Sequence, residues 1–553
     1  RSIWVTGVQT CALPISVHYA HAGSGELHLR PIINLKTAEG NKLFRAIAEE
    51  IAALVKKYNG SLSGEHGDGR LRGEFIRRMV GEKNYELLRK IKYTWDPDNI
   101  FNPNKIVDTP SMSSMLRYTP GQQTPTFKTV FRFHKQDILQ HAEQCNGSGD
   151  CRKTQLSGGT MCPSYMATRD EKDTTRARAN VLREFLTHSE KINRFDHEEI
   201  YQVMDLCLSC KGCKSECPSN VDVAKLKAEF LQHYYDAHGV PFRSRLIANF
   251  NRSAKLGAIF PAFYNLMMKG AAGSLVKKIS GFAVKRSMPL MYKTTLRSWY
   301  KKHQKITGAK RKVYLFCDEF TNYNDTEIGI KSILLLEKLG YEVMMPEHEE
   351  SGRAWLSKGL LRDAKKIANK NIELFSRLVN ADTPLIGIEP SAILTFRDEY
   401  VDLADDHLYP AAEQLAKHVF TIDEFIAMET DQGFINKERF SLEKKTVKLH
   451  GHCQQKALSS VAHSVKILSL PQNYKVEVIP SGCCGMAGSF GYEKEHYDIS
   501  MKIGELVLFP AVRKATDDMI IAAPGTSCRH QVKDGTGKKA LHPVAILYDA
   551  LIQ

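Results

Sequence analysis

Four cysteines at fixed spacing carry the strongest chemical signal in this sequence. They form the run C-x2-C-x2-C-x3-C-P and are Cys207, Cys210, Cys213 and Cys217. Three thiolates on one tight loop can hold three corners of an iron-sulfur cube, and the following proline directs the fourth cysteine toward a second cluster. Zinc sites more often contain two separated C-x2-C pairs. The spacing therefore favours a 4Fe-4S cluster over zinc.

A second, altered cysteine set precedes this run along the chain. It has the arrangement C-x5-C-x10-C-P and consists of Cys145, Cys151 and Cys162. Ser148 stands where the regular spacing would place the second ligand. Taken alone, this set is compatible with zinc as well as with an iron-sulfur cluster.

We expect the two sets to exchange ligands, as in two-cluster ferredoxins. Cys162 would then complete a 4Fe-4S cluster with three cysteines of the regular run, Cys207, Cys210 and Cys213. The other site would have only three thiolates, those of Cys145, Cys151 and Cys217. Such a site either binds a 3Fe-4S cluster or leaves one iron of a 4Fe-4S cluster to Ser148, water or another oxygen.

Two histidines and a carboxylate near the start of the chain suggest a different metal site. His21 and His28 flank a glycine-rich bend, and the glycine-flanked segment 64–69 carries Glu65 and His66. Two imidazoles and a carboxylate from separate loops can hold a divalent cation with open coordination positions. The alternative is that these residues are polar loop residues without a ligand.

The same motifs, followed by Asp96-Pro97 and by segment 102–107 (NPNKIV), resemble the C-terminal part of FAD-linked oxidases of the vanillyl-alcohol oxidase type. The resemblance implies that His21, His28 and Glu65 hold a divalent metal, with zinc expected, which binds the carboxylate and hydroxyl of a D-2-hydroxy acid. It also implies that His66 takes the hydroxyl proton while hydride leaves for the flavin.

The resemblance further implies that most of the FAD site lies upstream of this sequence. Asn102 would supply only an edge of that site. Two departures from the family pattern, Ser24 in place of Asp and Glu26 in place of Asn, leave the affinity and the identity of the metal open.

The C-terminal region repeats a strand-helix-strand pattern. The copies at 313–346 and 446–480 each predict a parallel sheet with flanking helices, and a single helix is expected at 454–468. The second copy carries four cysteines and resembles the cysteine-rich CCG domain of heterodisulfide reductase and of glycolate oxidase and glycerol-3-phosphate dehydrogenase iron-sulfur subunits. Its candidate ligands for a cluster or zinc are Cys453, Cys483, Cys484 and Cys528.

The first copy retains only Cys317 and has Glu350-Ser351-Gly352 in place of the Cys-Cys-Gly motif. We therefore expect it to serve as a scaffold without a metal. In the second copy, His452 is expected to be a loop residue rather than a ligand.

Composition limits the kinds of protein and of binding partner that fit this sequence. The chain of 553 residues has a net charge of +15, and residues 237–317 contain seventeen Lys and Arg but no Asp or Glu. This window is either a solvated face or a surface for an anionic partner, most simply the inner face of a lipid bilayer. Nucleic acid is the competing anionic partner, but no motif typical of nucleic-acid-binding proteins supports it. Thirteen cysteines without a secretory signal indicate a reduced, cytoplasmic metalloprotein rather than a disulfide-linked one.

These observations predict a multidomain α/β and α+β protein. Residues 1–16, including Cys11, resemble translated sequencing adapter and are expected to lie outside the fold. The predicted division is a partial FAD-linked oxidase C-terminal domain at 17–108, a linker at 109–126, an α-helical ferredoxin domain with two clusters at 127–236, a basic helical connector at 237–311, a degenerate CCG repeat at 312–430 and a CCG repeat at 431–553.

This arrangement resembles the fused bacterial D-2-hydroxyglutarate dehydrogenases. It implies oxidation of a small 2-hydroxy acid by FAD, followed by electron transfer through the clusters to an acceptor that the sequence does not identify. Two alternatives stay open: a D-lactate or glycolate dehydrogenase, and an iron-sulfur subunit that only transfers electrons.

Overall fold

The computed structural model describes residues 16–133 and 136–552. The chain forms two compact units, which divide between Thr124 and Pro125. The predicted adapter segment lies almost wholly outside the described residues, and Cys11 lies outside them as well.

The first unit is a hairpin followed by helices. Its elements are β1 (Ser16–His21), β2 (Glu26–Pro31), α1 (Ala38–Lys57), α2 (Ile76–Val80) and α3 (Glu82–Trp95). The strands pair antiparallel around Gly25, whose φ of +69° suits glycine. Thr37 starts α1 by accepting a hydrogen bond from the Gly40 amide at 3.0 Å. The apolar face of α1 packs through Ala52 against Phe75 and Met112.

The second unit begins with short helices around the cysteines. They are α4 (Ile138–Glu143), α5 (Pro163–Thr168), α6 (Thr175–His188), α7 (Glu198–Asp205), α8 (Gly212–Glu216) and α9 (Val223–His238). Leu182 and Leu186 of α6 meet Ile200 of α7 and Phe230 of α9 in a buried core. The cysteine loops therefore lie between helices that this core holds in place.

The basic segment continues as helices with little burial. They are α10 (Phe242–Ala248), α11 (Phe250–Gly257), α12 (Pro261–Met267), α13 (Gly270–Ile279) and α14 (Leu296–Lys302). Within the part of the chain that the structure describes, no helix combines the length and apolar character needed to cross a membrane.

Two parallel sheets form the rest of the second unit. The first contains β3 (Arg311–Phe316), β4 (Tyr341–Met344), β5 (Leu385–Gly387) and β6 (Val419–Thr421), in the order β4-β3-β5-β6. The second contains β7 (Lys445–Leu449), β8 (Tyr474–Val478), β9 (Ile520–Ala522) and β10 (Ala540–Leu541), in the order β8-β7-β9-β10. The strand order is thus the same in both, and the predicted pair of parallel sheets is confirmed.

Helices cover the sheets. Those of the first copy are α15 (Glu319–Tyr323), α16 (Thr326–Lys338), α17 (Arg353–Ser357), α18 (Leu361–Phe375), α19 (Pro390–Ile393), α20 (Glu399–Leu403), α21 (Tyr409–Ala416) and α22 (Ile422–Asp431). Those of the second copy are α23 (Cys453–Leu458), α24 (Val461–Leu468), α25 (Tyr497–Leu506), α26 (Leu508–Arg513), α27 (Thr526–Thr536) and α28 (Pro543–Asp549). Residues of both sheets, among them Leu315 and Val447, share one buried core.

The single helix predicted at 454–468 is wrong, because the structure has two helices there. Ser460 caps α24 by accepting a hydrogen bond from the Ala462 amide at 3.1 Å. The hydroxyl of Ser459 donates to Glu424 at 3.1 Å. Serine side chains compete with the helical backbone for hydrogen bonds, so two in succession end one helix and start another.

Candidate active site and metal centres

The hairpin of the first unit brings His21 and His28 onto one face. His21 lies opposite Glu26 in the strand register, and His28 follows Glu26 by two residues, so alternation points the three side chains the same way. The two imidazole rings lie 5.1 Å apart between centroids. Glu65 lies between them, with Oε1 3.4 Å from His21 Nε2 and 3.5 Å from His28 Nε2.

His66 joins the same group. Its Nε2 lies 3.3 Å from Oε1 of Glu65, and 82% of its side chain is exposed. The structure therefore brings together all four residues that the sequence nominated here, and it leaves the His66 ring open to a small molecule.

Glu26 is a further candidate ligand, which the sequence interpretation treated only as a departure from a pattern. Its Oε1 lies 3.8 Å from His28 Nε2. The ligand atoms of His21, Glu26, His28 and Glu65 all lie within 4.8 Å of one another. A Cβ on Gly64 would lie 2.5 Å from the Glu26 carboxylate, so the Gly64 segment approaches this carboxylate closely. The alternation of Glu26 with His28 was the signal available in the sequence.

The donor set suits a divalent cation. His28 Nε2 is buried and has no hydrogen-bond partner within the described residues, which is costly unless a ligand satisfies it. Tyr19 stacks on the His28 ring at 4.5 Å between centroids and fixes its orientation. Two nitrogens and two carboxylates are ligands that zinc accepts.

Asn102 does not belong to this group of donors. Its backbone is left-handed, with φ of +51°, and its side chain accepts a hydrogen bond from Lys105 Nζ at 3.3 Å. The Ile106 amide donates to the carbonyl oxygen of Gly69 at 3.2 Å. This bond ties the segment of Asn102 to the loop that carries Glu65 and His66.

In the second unit, Cys162 lies beside cysteines of the other set. Burial raises the pKa of Cys162 to about 12, and the neighbouring thiols of Cys151 and Cys207 act in the same direction. The pKa of Cys213 is also raised by burial, and Cys162 and Cys207 are among its charged neighbours. The Thr175 amide donates to Cys162 Sγ at 3.0 Å. Such donors stabilise thiolate ligands.

The other cysteines of the altered set, Cys145 and Cys151, are neighbours of each other, and Cys151 is also a neighbour of Cys162. Burial raises the pKa of Cys151, which accepts a hydrogen bond from the Arg176 amide at 3.4 Å and has Cys145 as a neighbour. Cys217 ends α8 and is half-buried against the core of the module. Ser148 is exposed, and its hydroxyl lies 3.3 Å from Oδ2 of Asp150.

The four cysteines of the second repeat come together in the interior. A hydrogen bond from Cys483 lowers the pKa of Cys453 to about 7. Hydrogen bonds from Cys483 and Cys528 hold the pKa of Cys484 well below its usual range. All four side chains are buried, and the four thiols are electrostatic neighbours of one another.

His450 and Lys456 complete this site, and the sequence interpretation nominated neither. His450 Nδ1 lies 2.7 Å from Ser481 Oγ, and a ligand atom of His450 lies within 4.8 Å of the Cys484 and Cys528 sulfurs. Burial lowers the pKa of Lys456, while the surrounding thiols oppose this shift. Its Nζ donates to the Gly482 carbonyl at 2.9 Å. The Lys456 amino group therefore lies beside the four thiols.

His452 starts α23, where its ring accepts a hydrogen bond from the Gln454 amide at 3.3 Å. Cys453, the first residue of α23, lies where the cysteine site of the second repeat adjoins the cysteine site of the helical module. Cys210, Cys453 and Cys483 belong to one buried cluster. After burial, Cys453 is the largest influence that raises the pKa of Cys210. A Cβ on Gly482 would lie 2.8 Å from the Gly159 carbonyl, so the loops of the two sites are in close backbone contact.

Two family models match parts of the chain. Residues 13–106 match the family described as FAD linked oxidases, C-terminal domain, and residues 144–222 match the 4Fe-4S dicluster domain. The chain therefore contains an FAD-linked oxidase C-terminal domain and a 4Fe-4S dicluster domain within a mixed α/β fold. No solved structure matches the chain.

Individual relatives share most of this arrangement. The chain is 27% identical over 581 residues to D-2-hydroxyglutarate dehydrogenase of Escherichia coli (strain K12), an alignment that covers 96% of this chain and 56% of that protein. It is 24% identical over 305 residues to one of the subunits of the anaerobic glycerol-3-phosphate dehydrogenase of the same organism, covering 54% of this chain and 74% of the relative. Ninety-two residues, 16% of this chain, are 35% identical to 20% of the D-lactate dehydrogenase of Archaeoglobus fulgidus. The chain spans about half the length of the hydroxyglutarate dehydrogenases that it matches.

Proposed function

We propose that this chain is the electron-output part of an FAD- and iron-sulfur-dependent D-2-hydroxy-acid dehydrogenase that converts D-2-hydroxyglutarate to 2-oxoglutarate. The observation that carries the proposal is the convergence of His21, His28, Glu65 and His66 within hydrogen-bonding and metal-binding range. The similarity to D-2-hydroxyglutarate dehydrogenases along 96% of the chain supports the choice of substrate.

The residues of the first unit have distinct tasks in this reaction. His21, Glu26, His28 and Glu65 would hold a divalent cation, expected to be zinc, that supplies positive charge for the substrate carboxylate and hydroxyl. FAD, bound mostly by a part of the protein upstream and at its edge by Asn102, supplies the hydride acceptor. His66 takes the hydroxyl proton on Nε2, which lies 3.3 Å from Oε1 of Glu65.

The cysteines of the second unit would hold iron-sulfur clusters, which supply single-electron transfer. Cys162, Cys207, Cys210 and Cys213 would hold a 4Fe-4S cluster, and Cys145, Cys151 and Cys217 a cluster with three thiolates. The exposed Ser148, whose hydroxyl faces Asp150, favours a 3Fe-4S cluster at the latter site. The contact between the Cys210 and Cys453 regions supports onward transfer to the second repeat.

The second repeat is of the CCG type in this proposal, and its buried cysteines would hold a further cluster. The first repeat is its scaffold. There, Ser351 occupies the position of the cysteine pair and donates to Glu319 from both its amide, at 3.0 Å, and its hydroxyl, at 2.7 Å. Cys317 is buried beside the carboxyl groups of Asp318 and Glu319, and this environment suits a structural thiol better than a metal ligand.

The basic helices would contact the inner face of an anionic bilayer. Several large apolar side chains are exposed on them, including Leu256, Phe260, Phe263, Leu266 and Ile279, at 64–73% exposure. Apolar side chains among lysines and arginines are typical of interfacial helices. Flotation with vesicles containing anionic lipid should recover the protein, and Phe260→Ser combined with Phe263→Ser should reduce that recovery. Equal recovery with neutral vesicles would contradict the electrostatic part of this proposal.

Two other functions have specific support. The local identity to a D-lactate dehydrogenase favours a shorter substrate, and the similarity to a single subunit of the anaerobic glycerol-3-phosphate dehydrogenase favours an electron-transfer subunit. In the second case the histidine cluster of the first unit would be vestigial.

Substrate-dependent dye reduction by the protein joined to its FAD-binding part tests the proposal. D-2-hydroxyglutarate should support the fastest reduction, ahead of D-lactate and glycolate. His66→Ala should lower the rate by a factor of about 10² to 10⁴, as expected for a general base, with FAD and iron contents unchanged. His18→Ala, on the opposite face of β1, is the matched control and should retain activity. No reduction with any 2-hydroxy acid would favour the electron-transfer subunit.

A further inference from the structure

A cavity of about 360 Å³ lies within the second unit, between the basic helices and the two cysteine sites. Side chains of α10 to α13 and the loops after them form one wall, which includes Leu246, Phe250 and Val276. Cys210 and Cys453 also line the cavity. The cavity therefore lies beside the place where the two cysteine sites meet. It also borders the basic helices, which expose apolar side chains.

The size and lining of the cavity suit a small organic molecule. Ligand sites in proteins have volumes of about 300–1,000 Å³ and are mostly apolar, with a few polar groups. The polar lining lies near the cysteines and includes Ser391, Gln454 and Ser527. Gln454 is 6% exposed, and its Oε1 has no hydrogen-bond partner among the described residues. A buried acceptor of this kind is satisfied by a hydroxyl group of a ligand, such as a hydroxyl of a hydroquinone.

We propose that this cavity binds an electron acceptor of the quinone class, which enters from a lipid surface beneath the basic helices. The inference rests on the proposed function, because reduced clusters at the two cysteine sites must supply the electrons. The quinone takes up two electrons, delivered singly, and two protons from solvent to form a quinol. Each cluster that gives an electron returns to its oxidised form.

The charges of the lining disfavour a nucleotide as the acceptor. Arg353 is a cation of the lining, but its Nη1 donates to Glu399 at 2.7 Å. Glu389 adds a carboxylate to the lining. A dinucleotide would bring phosphates toward this carboxylate without a free cation of the lining to bind them. A quinone ring is neutral, and its isoprenoid tail matches the apolar wall and the exposed apolar helices.

Direct binding tests the inference without relying on turnover. The fluorescent quinone analogue heptylhydroxyquinoline N-oxide should bind to the protein loaded with its clusters, with quenching of its emission. Leu246→Trp places a larger side chain in the cavity wall and should weaken this binding at least tenfold. The matched control is the same substitution at Leu442, Leu442→Trp, since Leu442 lies just before β7, is 63% exposed and does not line the cavity. Equal effects of the two variants, or no binding by the parent protein, would overturn the inference.

Electron transfer provides the second measurement. Clusters reduced with dithionite, after removal of excess reductant, should be reoxidised by a short-chain ubiquinone, as followed by their visible absorption. The ratio of the ubiquinone rate to the ferricyanide rate should fall at least tenfold in Leu246→Trp and should not change in Leu442→Trp. Reoxidation by ferricyanide alone would overturn the quinone inference and leave the dehydrogenase proposal intact. Quinone reduction without any reduction of the protein by hydroxy acids would refute the dehydrogenase proposal instead.

Discussion

Asp398→Asn should destabilise the second unit strongly, because this carboxylate is the centre of a buried ionic network. Its side chain is 2% exposed and pairs with three lysines, Lys211, Lys214 and Lys225, the last at 2.7 Å. Lys211 also lies 3.0 Å from Glu399. The lysines belong to the cysteine module and both carboxylates to the first repeat, so the network holds these two parts of the unit together.

The size of the effect follows from the charge that the variant leaves behind. Among the described residues, four cations of this network, Arg353 included, face four carboxylates. Asparagine keeps the shape of aspartate but leaves one positive charge without a counterion in the interior. Removing one partner of a buried pair costs about 3–5 kcal/mol. We expect a loss of that size in the free energy of unfolding, measured by urea denaturation followed by circular dichroism.

The effect should depend on pH in a defined direction. The lysines hold the pKa of Asp398 well below its usual range in the folded protein. The stabilisation is therefore complete above the unfolded pKa of about 3.9 and is lost as the pH falls toward the folded pKa. The difference between wild type and variant should be constant from pH 7 to about pH 5 and should shrink below about pH 4. Asp406→Asn is the control, because that side chain is 95% exposed and should change little. Equal urea midpoints for Asp398→Asn and wild type would refute the reasoning.

Two further predictions concern the metal centres. Glu26→Gln should weaken zinc binding at least tenfold in competition with a fluorescent chelator, because it removes one of two carboxylates near His28. The control Glu82→Gln, at a side chain that is 64% exposed at the start of α3, should have no effect. Equal zinc affinities of Glu26→Gln and the wild type would exclude Glu26 as a ligand. Aerobically purified protein should give the electron paramagnetic resonance signal of an oxidised 3Fe-4S cluster, and Ser148→Cys should replace it with a 4Fe-4S cluster, since thiolate binds iron better than a hydroxyl does. Complete 4Fe-4S clusters in the wild type under all conditions would show that Ser148 or another group is a competent ligand.

The sequence alone was sufficient to predict features that depend on residues close together along the chain. Cysteine spacing fixes which thiolates can share a cluster, and this yielded the dicluster domain that the family comparison supports. Strand alternation within one hairpin likewise determines that His21 and His28 share a face. The repeated strand-helix pattern was enough to predict two parallel sheets, because each strand-helix-strand motif is formed by residues that are close together in the sequence.

Only the tertiary structure decided what distant segments do together. Glu26 became a candidate ligand because the Gly64 segment packs against its carboxylate, and His450 and Lys456 became parts of the cysteine site because their strand and helix end beside it. The juxtaposition of Cys210 with Cys453 and the cavity beside them arise from packing between segments of the second unit that are far apart in sequence. Residue spacing constrains geometry over a few residues, whereas such contacts depend on how whole faces of helices and sheets bury their apolar surface.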